Sequence, residues 1–262
     1  MFSLYLECEQ EEKDRLIANL WECGSAGITE SDLPGDRCGL RAFFADDVES
    51  PVLLREFAAW SVVCQAEEPR DWVAEARSRL MPMLVGARFF LVPEWRDDPT
   101  PPGRLRIVVN PGMAFGTGLH ESTQLCLEAL EREVRPGMTV LDLGTGSGIL
   151  ARAASLLGAK RVIASDIDPI AVELARQALS FVGTVDAVRD AGVDLAVANI
   201  SPEAIITLAP QLTRVIRAGG VAIVSGFETP EVAAVHAALE ASSGRVRSSP
   251  AKGTWSALIV DV

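Results

Sequence analysis

The sequence lacks several features that define whole classes of proteins. No stretch approaches the roughly 18 uncharged apolar residues of a membrane-spanning helix, and the most apolar tract, 80–93, is interrupted by Pro82 and Arg88. The N-terminus carries glutamates where a signal peptide would carry positive charge. The five cysteines are widely spaced and include no CxxC pair, which disfavours a disulfide framework or a zinc site. We therefore expect a cytoplasmic protein that does not bind membranes.

Positive charge is also scarce. The 262 residues include 24 Lys and Arg against 36 Asp and Glu, so the net charge is −12. Because nucleic-acid phosphates are bound by positive charge, we expect no direct nucleic-acid binding. Much of the excess lies in residues 1–66, whose 13 acidic and 5 basic side chains give a net charge of −8. This surface is either simply solvated or a docking surface for a basic macromolecule, and composition leaves both open.

The N-terminal quarter of the chain predicts a small domain. With 48% hydrophobic and 23% charged residues, the chain is globular in composition and long enough for a large domain with a small companion. Hydrophobic spacing in residues 1–66 predicts the order β-α-β-β-α-β, which is typical of a ferredoxin-like α+β domain. The predicted strands are 2–8, 25–30, 37–44 and 61–66, and the predicted helices are 11–23 and 51–60. The charged segment 67–83 predicts a linker helix.

The rest of the chain alternates between helices and strands. Strands are predicted at 89–93, 105–109, 139–143, 161–165, 185–189 and 195–198, and helices at 123–134, 149–157 and 169–181. The strands from 139 onward are apolar without alternation, which is typical of strands buried on both faces. Residues 84–262 therefore predict an α/β domain with a parallel sheet between two layers of helices.

A glycine-rich turn follows the predicted strand 139–143. Gly144, Gly146 and Gly148 form the pattern GxGxG and lead directly into a helix. Such a turn lets a ligand approach the backbone at the carboxyl edge of a parallel sheet, next to a helix N-terminus. The spacing differs from the GxGxxG of dinucleotide sites, so a nicotinamide-dependent oxidoreductase is disfavoured.

Polar side chains end the two following strands. Asp166 lies 22 residues beyond Gly144, a spacing that places a carboxylate against the hydroxyls of a ribose. Asp168 precedes a proline and fits the N-cap of the next helix. Asn199 on its own would most simply close a local turn. Because it ends a neighbouring strand, we expect it to face the same crevice, where its carbonyl can accept a hydrogen bond from an amine.

The segment 110–123, NPGMAFGTGLHEST, combines glycines, an aromatic residue and hydroxyls, which is typical of a loop that closes over a ligand. Followed by VLDLGTGSGIL at 140–150, DIDP at 166–169 and VANI at 197–200, it resembles the PrmA-type methyltransferases. That family methylates the eleventh protein of the large ribosomal subunit. Trp255 also fits, and the resemblance covers essentially the whole chain.

The resemblance implies an S-adenosylmethionine-dependent protein N-methyltransferase that modifies lysine side chains or the N-terminal amine of a basic ribosomal protein. It implies a substrate-recognition domain at 1–66, the linker helix at 67–83 and a Rossmann-like methyltransferase domain at 84–262. Asn199 would be the catalytic residue that orients the amine, and no metal is expected. His120 matches a family histidine, for which we favour a loop anchor over proton transfer. The implied cofactor-binding residues are Thr123, Gly144, Asp166 and Asn199, with Phe115, Gly116 and Gly146 shaping the pocket.

The chain also departs from the family pattern. Only 33 residues separate Asp166 from Asn199, fewer than is usual, and Asp190 in this segment is a candidate adenine contact. The linker has Ala76 and Met81 where the family often has an aromatic and a basic residue. Two alternatives therefore stay open. One is a methyltransferase that acts on another protein or a small amine, and the other is a non-catalytic methyltransferase-like binding protein.

Overall fold

The computed structural model describes residues 1–66, 77, 80–110, 120–175 and 178–262. The chain divides into two compact units, Met1–Arg79 and Leu80–Val262. Most of the predicted linker helix, 67–83, lies outside the described residues, so the division into two domains and a linker helix stays a prediction. Within the described part of the chain, no helix is long and apolar enough to cross a membrane.

The N-terminal unit is built on an antiparallel sheet with the strand order β2-β3-β1-β4. Alternate residues of β1, among them Leu4 and Leu6, are fully buried and pack with Leu16 and Leu20 of the first helix. The element order is β-α-β-β-α-β, and the ferredoxin-like assignment stays a prediction. The elements are β1 (Phe2–Glu9), α1 (Lys13–Glu22), β2 (Gly27–Leu33), β3 (Arg37–Phe44), α2 (Ser50–Glu56) and β4 (Val63–Ala66).

The C-terminal unit contains two sheets. The smaller sheet has the order β5-β6-β7, with strands β5 (Met83–Val85), β6 (Phe89–Pro93) and β7 (Leu105–Val109). The larger sheet has the order β10-β9-β8-β11-β12-β15-β13, and β14 pairs with β15. Its strands from β10 to β12 are parallel, whereas β15 and β13 are antiparallel to their neighbours.

The elements of the larger sheet and its helices follow in chain order. They are α3 (Glu121–Glu133), β8 (Thr139–Leu143), α4 (Ile149–Leu156), β9 (Arg161–Asp166), α5 (Pro169–Leu174), β10 (Leu179–Val182), β11 (Val193–Asn199), α6 (Pro202–Val215), β12 (Ile216–Glu228), α7 (Val232–Ala241), β13 (Arg245–Ser248), β14 (Ala251–Lys252) and β15 (Trp255–Asp261).

The larger sheet is covered by apolar residues on both faces. Along β11, Leu195 and Val197 belong to a core cluster that also contains residues of α3 and α4. The alternate residues Ala196 and Ala198 belong to a second cluster, with residues of α6 and α7. Because successive side chains of a strand point to opposite faces, the two clusters lie on opposite sides of the sheet. The predicted α/β fold class is confirmed.

Two predicted elements between β9 and β11 are wrong. The helix predicted at 169–181 ends at Leu174, and Leu179–Val182 forms the edge strand β10, paired in parallel with β9. The strand predicted at 185–189 is instead a 3-10 helix, Val185–Ala187. Alternating apolar residues in a short segment suit either element, so the hydrogen bonds to β9 decided the outcome.

Candidate functional site

The glycine turn after β8 needs its glycines. Gly144, Gly146 and Gly148 have φ values of 70°, 52° and 77°, a region that other residues enter only with strain. A Cβ atom at Gly144 would also overlap the side chain of Ile200. The backbone N–H groups of Gly144 and Thr145 donate to the carbonyl of Ser165, at 2.8 and 3.0 Å. These bonds hold the turn against the end of β9.

Asp142 lies in β8 directly before this turn and is fully buried. Its Oδ2 accepts hydrogen bonds from the Thr145 hydroxyl at 2.7 Å and from the backbone N–H of Ala151 at 2.9 Å. Its Oδ1 has no partner within the described part of the chain. Burial raises the pKa of Asp142 to about 6, against the opposing effect of these two bonds and with a smaller contribution from nearby Asp166.

Sequence reasoning did not single out Asp142. The signal was an acidic residue inside an otherwise apolar strand, TVLDL, immediately before a glycine turn. Such a carboxylate is expensive to bury and needs hydrogen bonds that hold it. Its two bonds tie β8 to Thr145 in the turn and to Ala151 in the first turn of α4. Asp142 therefore holds the glycine turn in place through its hydrogen bonds to the residues on either side of Gly146 and Gly148.

Asp166 ends β9, as the sequence predicts, and is half-buried. Its Oδ2 accepts from the backbone N–H of Gly146 at 2.9 Å, and its Oδ1 accepts from the backbone N–H of Asp168 at 3.0 Å. A carboxylate offers about four acceptor positions, so it can still receive two hydroxyl groups. Asp168 accepts from the N–H of Ile170 at 2.8 Å, which confirms it as the N-cap of α5.

Asn199 ends β11 and is half-buried. Its Nδ2 donates to the hydroxyl of Thr123 at 3.1 Å, and Thr123 is buried in the first turn of α3. The bond fixes the amino end of the carboxamide. No described residue donates to the opposite end, Oδ1. The carbonyl of Asn199 is therefore the group that can accept a hydrogen bond from a ligand.

These residues meet at one edge of the larger sheet. The strands β9, β8 and β11 are direct neighbours and run parallel. Asp166, Gly144 and Asn199 therefore follow the carboxyl ends of three adjacent strands, where ligands bind in open α/β sheets. The structure joins Asp166 to Gly146 and Asn199 to Thr123 through hydrogen bonds. The predicted pocket residues Phe115 and Gly116 lie outside the described residues.

His120 is the N-cap of α3. Its Nδ1 accepts from the backbone N–H of Ser122 at 3.3 Å and lies 2.8 Å from the Ser122 hydroxyl. Its ring also meets the ring of Trp255 edge-on, with 4.3 Å between centroids. Both contacts support the anchoring role. Asp190 forms an ion pair with Arg214 and is largely exposed, so its adenine contact stays a prediction.

The charge around the glycine turn favours a positively charged ligand. Asp142 and Asp166 both bind the turn or its flanks through hydrogen bonds. Neither carboxylate forms an ion pair with any described residue. Negative charge that is partly removed from water stabilises a nearby cation and repels a phosphate group. The arrangement therefore suits a cationic nucleoside better than a dinucleotide.

Comparison with known proteins agrees with this chemistry. Residues 1–261 match the family described as Ribosomal protein L11 methyltransferase (PrmA). The chain is 40% identical to the Ribosomal protein L11 methyltransferase of Pelobacter propionicus over an alignment of 286 positions, gaps included. The alignment covers 94% of this chain and 92% of that protein. The protein of that name from Cupriavidus taiwanensis is 38% identical over 231 residues, covering 82% of this chain and 77% of the relative.

A solved structure is also similar. The crystal structure of ribosomal protein L11 methylase from Lactobacillus delbrueckii subsp. bulgaricus superimposes with a TM-score of 0.64 at 31% identity, and covers 70% of this chain and 98% of that one. The predicted enzyme class, an S-adenosylmethionine-dependent protein methyltransferase with a Rossmann-like domain, is confirmed. The chain belongs to the ribosomal protein L11 methyltransferase (PrmA) family.

Proposed function

We propose that this chain transfers methyl groups to amino groups of ribosomal protein L11, on lysine side chains, on the N-terminal amine, or on both. The hydrogen bond between Asn199 and Thr123 carries the proposal. Because Thr123 holds Nδ2, the carboxamide offers its carbonyl oxygen to an incoming amine. An amine that donates one N–H to this oxygen has its lone pair oriented away from the oxygen, where it can attack the methyl group.

The donor set fits S-adenosylmethionine, which when bound supplies a methyl group activated by a positively charged sulfur. Asp166 has acceptor positions left for both ribose hydroxyls after binding the N–H groups of Gly146 and Asp168. The negative charge of Asp142 and Asp166 suits a cationic ligand at the glycine turn. We assign the following residues to the cofactor: Thr123, Gly144, Gly146, Asp166 and Asn199, together with Phe115 and Gly116, which precede α3 in the sequence.

Asn199 works by positioning. A lysine ammonium, with a free pKa near 10.4, must lose its proton before it can attack, and burial in a partly apolar site favours the neutral form. An N-terminal amine, with a free pKa near 8, loses its proton more easily. Asn199 then orients the neutral amine through its carbonyl. Well-oriented reactions gain about 7–11 kcal/mol from positioning. The ammonium releases its proton to solvent before the transfer, so the transfer step itself needs no general base.

We assign substrate recognition to the N-terminal unit, with domain boundaries at 1–66, 67–83 and 84–262. The charge of −8 in residues 1–66 complements a basic ribosomal protein. Complementary charge speeds encounter and rejects wrong partners. A role in methylating a ribosomal protein supports the proposal of a cytoplasmic location, and this role does not require direct contact with nucleic acid.

Labelled methyl transfer tests the proposal. The purified chain is incubated with purified ribosomal protein L11 and S-adenosylmethionine labelled in the methyl group, and mass spectrometry then locates the modified amines. We expect label on L11 for the wild type and a loss of at least about 100-fold in rate for Asn199→Ala, a larger loss than that of cofactor affinity.

A matched control lies two residues away. Ser201 caps α6 by accepting from the N–H of Ala204 at 3.3 Å, so Ser201→Ala disturbs the same loop without touching the carboxamide. This variant is expected to keep most of the rate. A wild-type chain that leaves L11 unlabelled contradicts the proposal. Label on another protein or on a small amine in its place would identify a different acceptor.

A further inference from the structure

Ile200, the residue after Asn199, lies against two glycines, one in the turn after β8 and the other in β12. A Cβ atom at Gly144 would overlap the Cγ2 methyl group of Ile200, and a Cβ atom at Gly226 would overlap its carbonyl oxygen. Both glycines have positive φ values, 70° and 99°. The side chain of Ile200 therefore lies against the glycine turn, and its backbone lies against β12.

The contact with β12 depends on a bulge. Ser225 pairs with Ala257 and Phe227 pairs with Ser256, so Gly226 is the extra residue between two ladder pairs. The bulge lies beside the end of β11, where Asn199 pairs with Ser225. The N–H of Ile200 donates to the carbonyl of Ser225 at 3.1 Å. The peptide that follows Asn199 is thereby held by a hydrogen bond as well as by close packing.

Two contacts therefore hold Asn199 in position. Thr123 of α3 holds its Nδ2, and Ile200 holds the backbone beside it. The Cγ2 methyl group of Ile200 is the only part of that residue within 3 Å of the Cβ position at Gly144. A shift of this methyl group therefore changes the spacing between Asn199 and the turn that carries the cofactor-binding glycines.

We infer that Ile200 is a positioning residue for methyl transfer, whose Cγ2 methyl group, seated against Gly144, sets the distance between the Asn199 carboxamide and the glycine turn. The inference rests on the role proposed for Asn199 above. A misplacement of reacting groups by about 1 Å costs on the order of 100-fold in rate. Ile200 therefore acts on the transfer step more than on cofactor binding.

Two conservative variants separate the methyl group from general packing. Ile200→Val keeps the branch at Cβ and loses only Cδ1, whereas Ile200→Leu keeps the number of carbons and moves the branch to Cγ. At saturating S-adenosylmethionine and L11, we expect the single-turnover rate of the valine variant to stay within about threefold of wild type. The rate of the leucine variant should fall at least about tenfold, with cofactor Kd within threefold in both.

A double-variant cycle tests the contact itself. Gly144→Ala places a methyl group where Cγ2 of Ile200 lies, and Ile200→Ala removes that obstacle. Gly219→Ala is the control for backbone strain, because Gly219 has a similar φ of 77° and no atom within 4 Å of the Cβ position. We expect Gly144→Ala to lower the rate and the Tm more than Gly219→Ala does, and added Ile200→Ala to recover at least threefold in rate.

In contrast to the variant at Gly144, we expect that added Ile200→Ala does not restore the rate of Gly226→Ala. Its obstacle is the backbone of Ile200, so shortening the side chain at 200 should recover nothing. Equal rates for the valine and leucine variants in an active enzyme, or no recovery in the cycle at 144, would overturn the role of Ile200 alone. A wild type that does not methylate L11 would overturn the proposed function, and the role of Ile200 with it.

Discussion

The two units of this chain bury polar groups very differently. Among the described residues, the N-terminal unit has two buried polar side chains, Ser3 and Ser25. The C-terminal unit has eight, and most lie near the carboxyl edge of its large sheet: Ser122, Thr123, Asp142, Thr145, Ser165, Thr213, Ser225 and Ser256. Both buried polar side chains of the first unit are serines, whereas the second unit also buries a carboxylate, with several hydroxyl groups near it.

Burial of a polar side chain lowers the stability of the fold when one of its atoms has no hydrogen-bond partner. Asp142 Oδ1 and Ser165 Oγ lie on neighbouring strands and have no hydrogen-bond partner within the described residues. An unsatisfied buried polar atom costs about 1–3 kcal/mol. Two of the four such atoms among the described residues lie beside the glycine turn, and the other two lie on α6 and α7. The C-terminal unit tolerates this cost beside the turn, as expected where function as well as packing determines the residues.

The largest expected effect separates two carboxylates of the same turn. Asp166→Ala removes the partner of the Gly146 N–H and the acceptor assigned to the ribose, and Asp168→Ala removes only the helix cap. Each charge-assisted hydrogen bond contributes about 1.5–3 kcal/mol, so we expect S-adenosylmethionine affinity to fall about 100-fold or more for Asp166→Ala. Calorimetric titration measures this loss directly.

Asp168→Ala is the control for that experiment. The loss of a cap costs about 1 kcal/mol of stability and should leave cofactor affinity within about threefold. Equal affinity losses for the two variants would contradict the ribose assignment of Asp166, because both would then act only through the shape of the turn.

The next prediction concerns the cost of burying Asp142. Its folded-state pKa of about 6 lies above the usual value near 3.9, so Asp142 binds its proton more tightly in the folded state than in the unfolded chain. At pH 7 the carboxylate still predominates. The contribution of this group to stability is present below about pH 4 and is lost as the pH rises through 6. We therefore expect the free energy of unfolding of Asp142→Asn, relative to wild type, to rise by about 2 kcal/mol between pH 4 and pH 7.

Urea unfolding of both proteins at several pH values measures this difference. Asp186→Asn removes an exposed carboxylate of the same unit and is the control for the loss of one negative charge. A difference for Asp142→Asn that does not change with pH would mean that burial of the Asp142 carboxylate does not lower the stability.

The smallest expected effect concerns the N-terminal surface. Asp32 and Asp36 are exposed on β2 and on the turn that follows it. Replacing both with Asn should lower kcat/KM for L11 about threefold at low salt and leave kcat unchanged, because rim charges act mainly on encounter. The effect should shrink at high salt, where screening is strong.

The matched control removes the same charge from the other unit. Glu94→Gln combined with Asp97→Asn changes two exposed acids near β6, and we expect no change in kcat/KM beyond measurement error. If both double variants lowered kcat/KM equally, net charge and not the N-terminal surface would govern encounter with the substrate.

Much of the fold was predictable from local sequence. The predicted strands 37–44, 89–93, 105–109 and 139–143 coincide with β3, β6, β7 and β8. Each is a short run rich in apolar residues, bounded in most cases by glycine, proline or charged residues, so local signals suffice. The segment after α5 was mispredicted because its apolar residues suit a helix as well as a strand. Its pairing with β9, which places Phe181 opposite Ser165, made it a strand.

The sequence by itself determined which residues end the parallel strands, and therefore that Gly144, Asp166 and Asn199 lie at one edge. Parallel strands place all their carboxyl ends on the same side, so this conclusion needs no coordinates. Only the tertiary structure decided how these groups are held: the full burial of Asp142, and the bond from Asn199 to Thr123 across 76 positions of the chain. Such contacts depend on how distant elements pack, which no local pattern specifies.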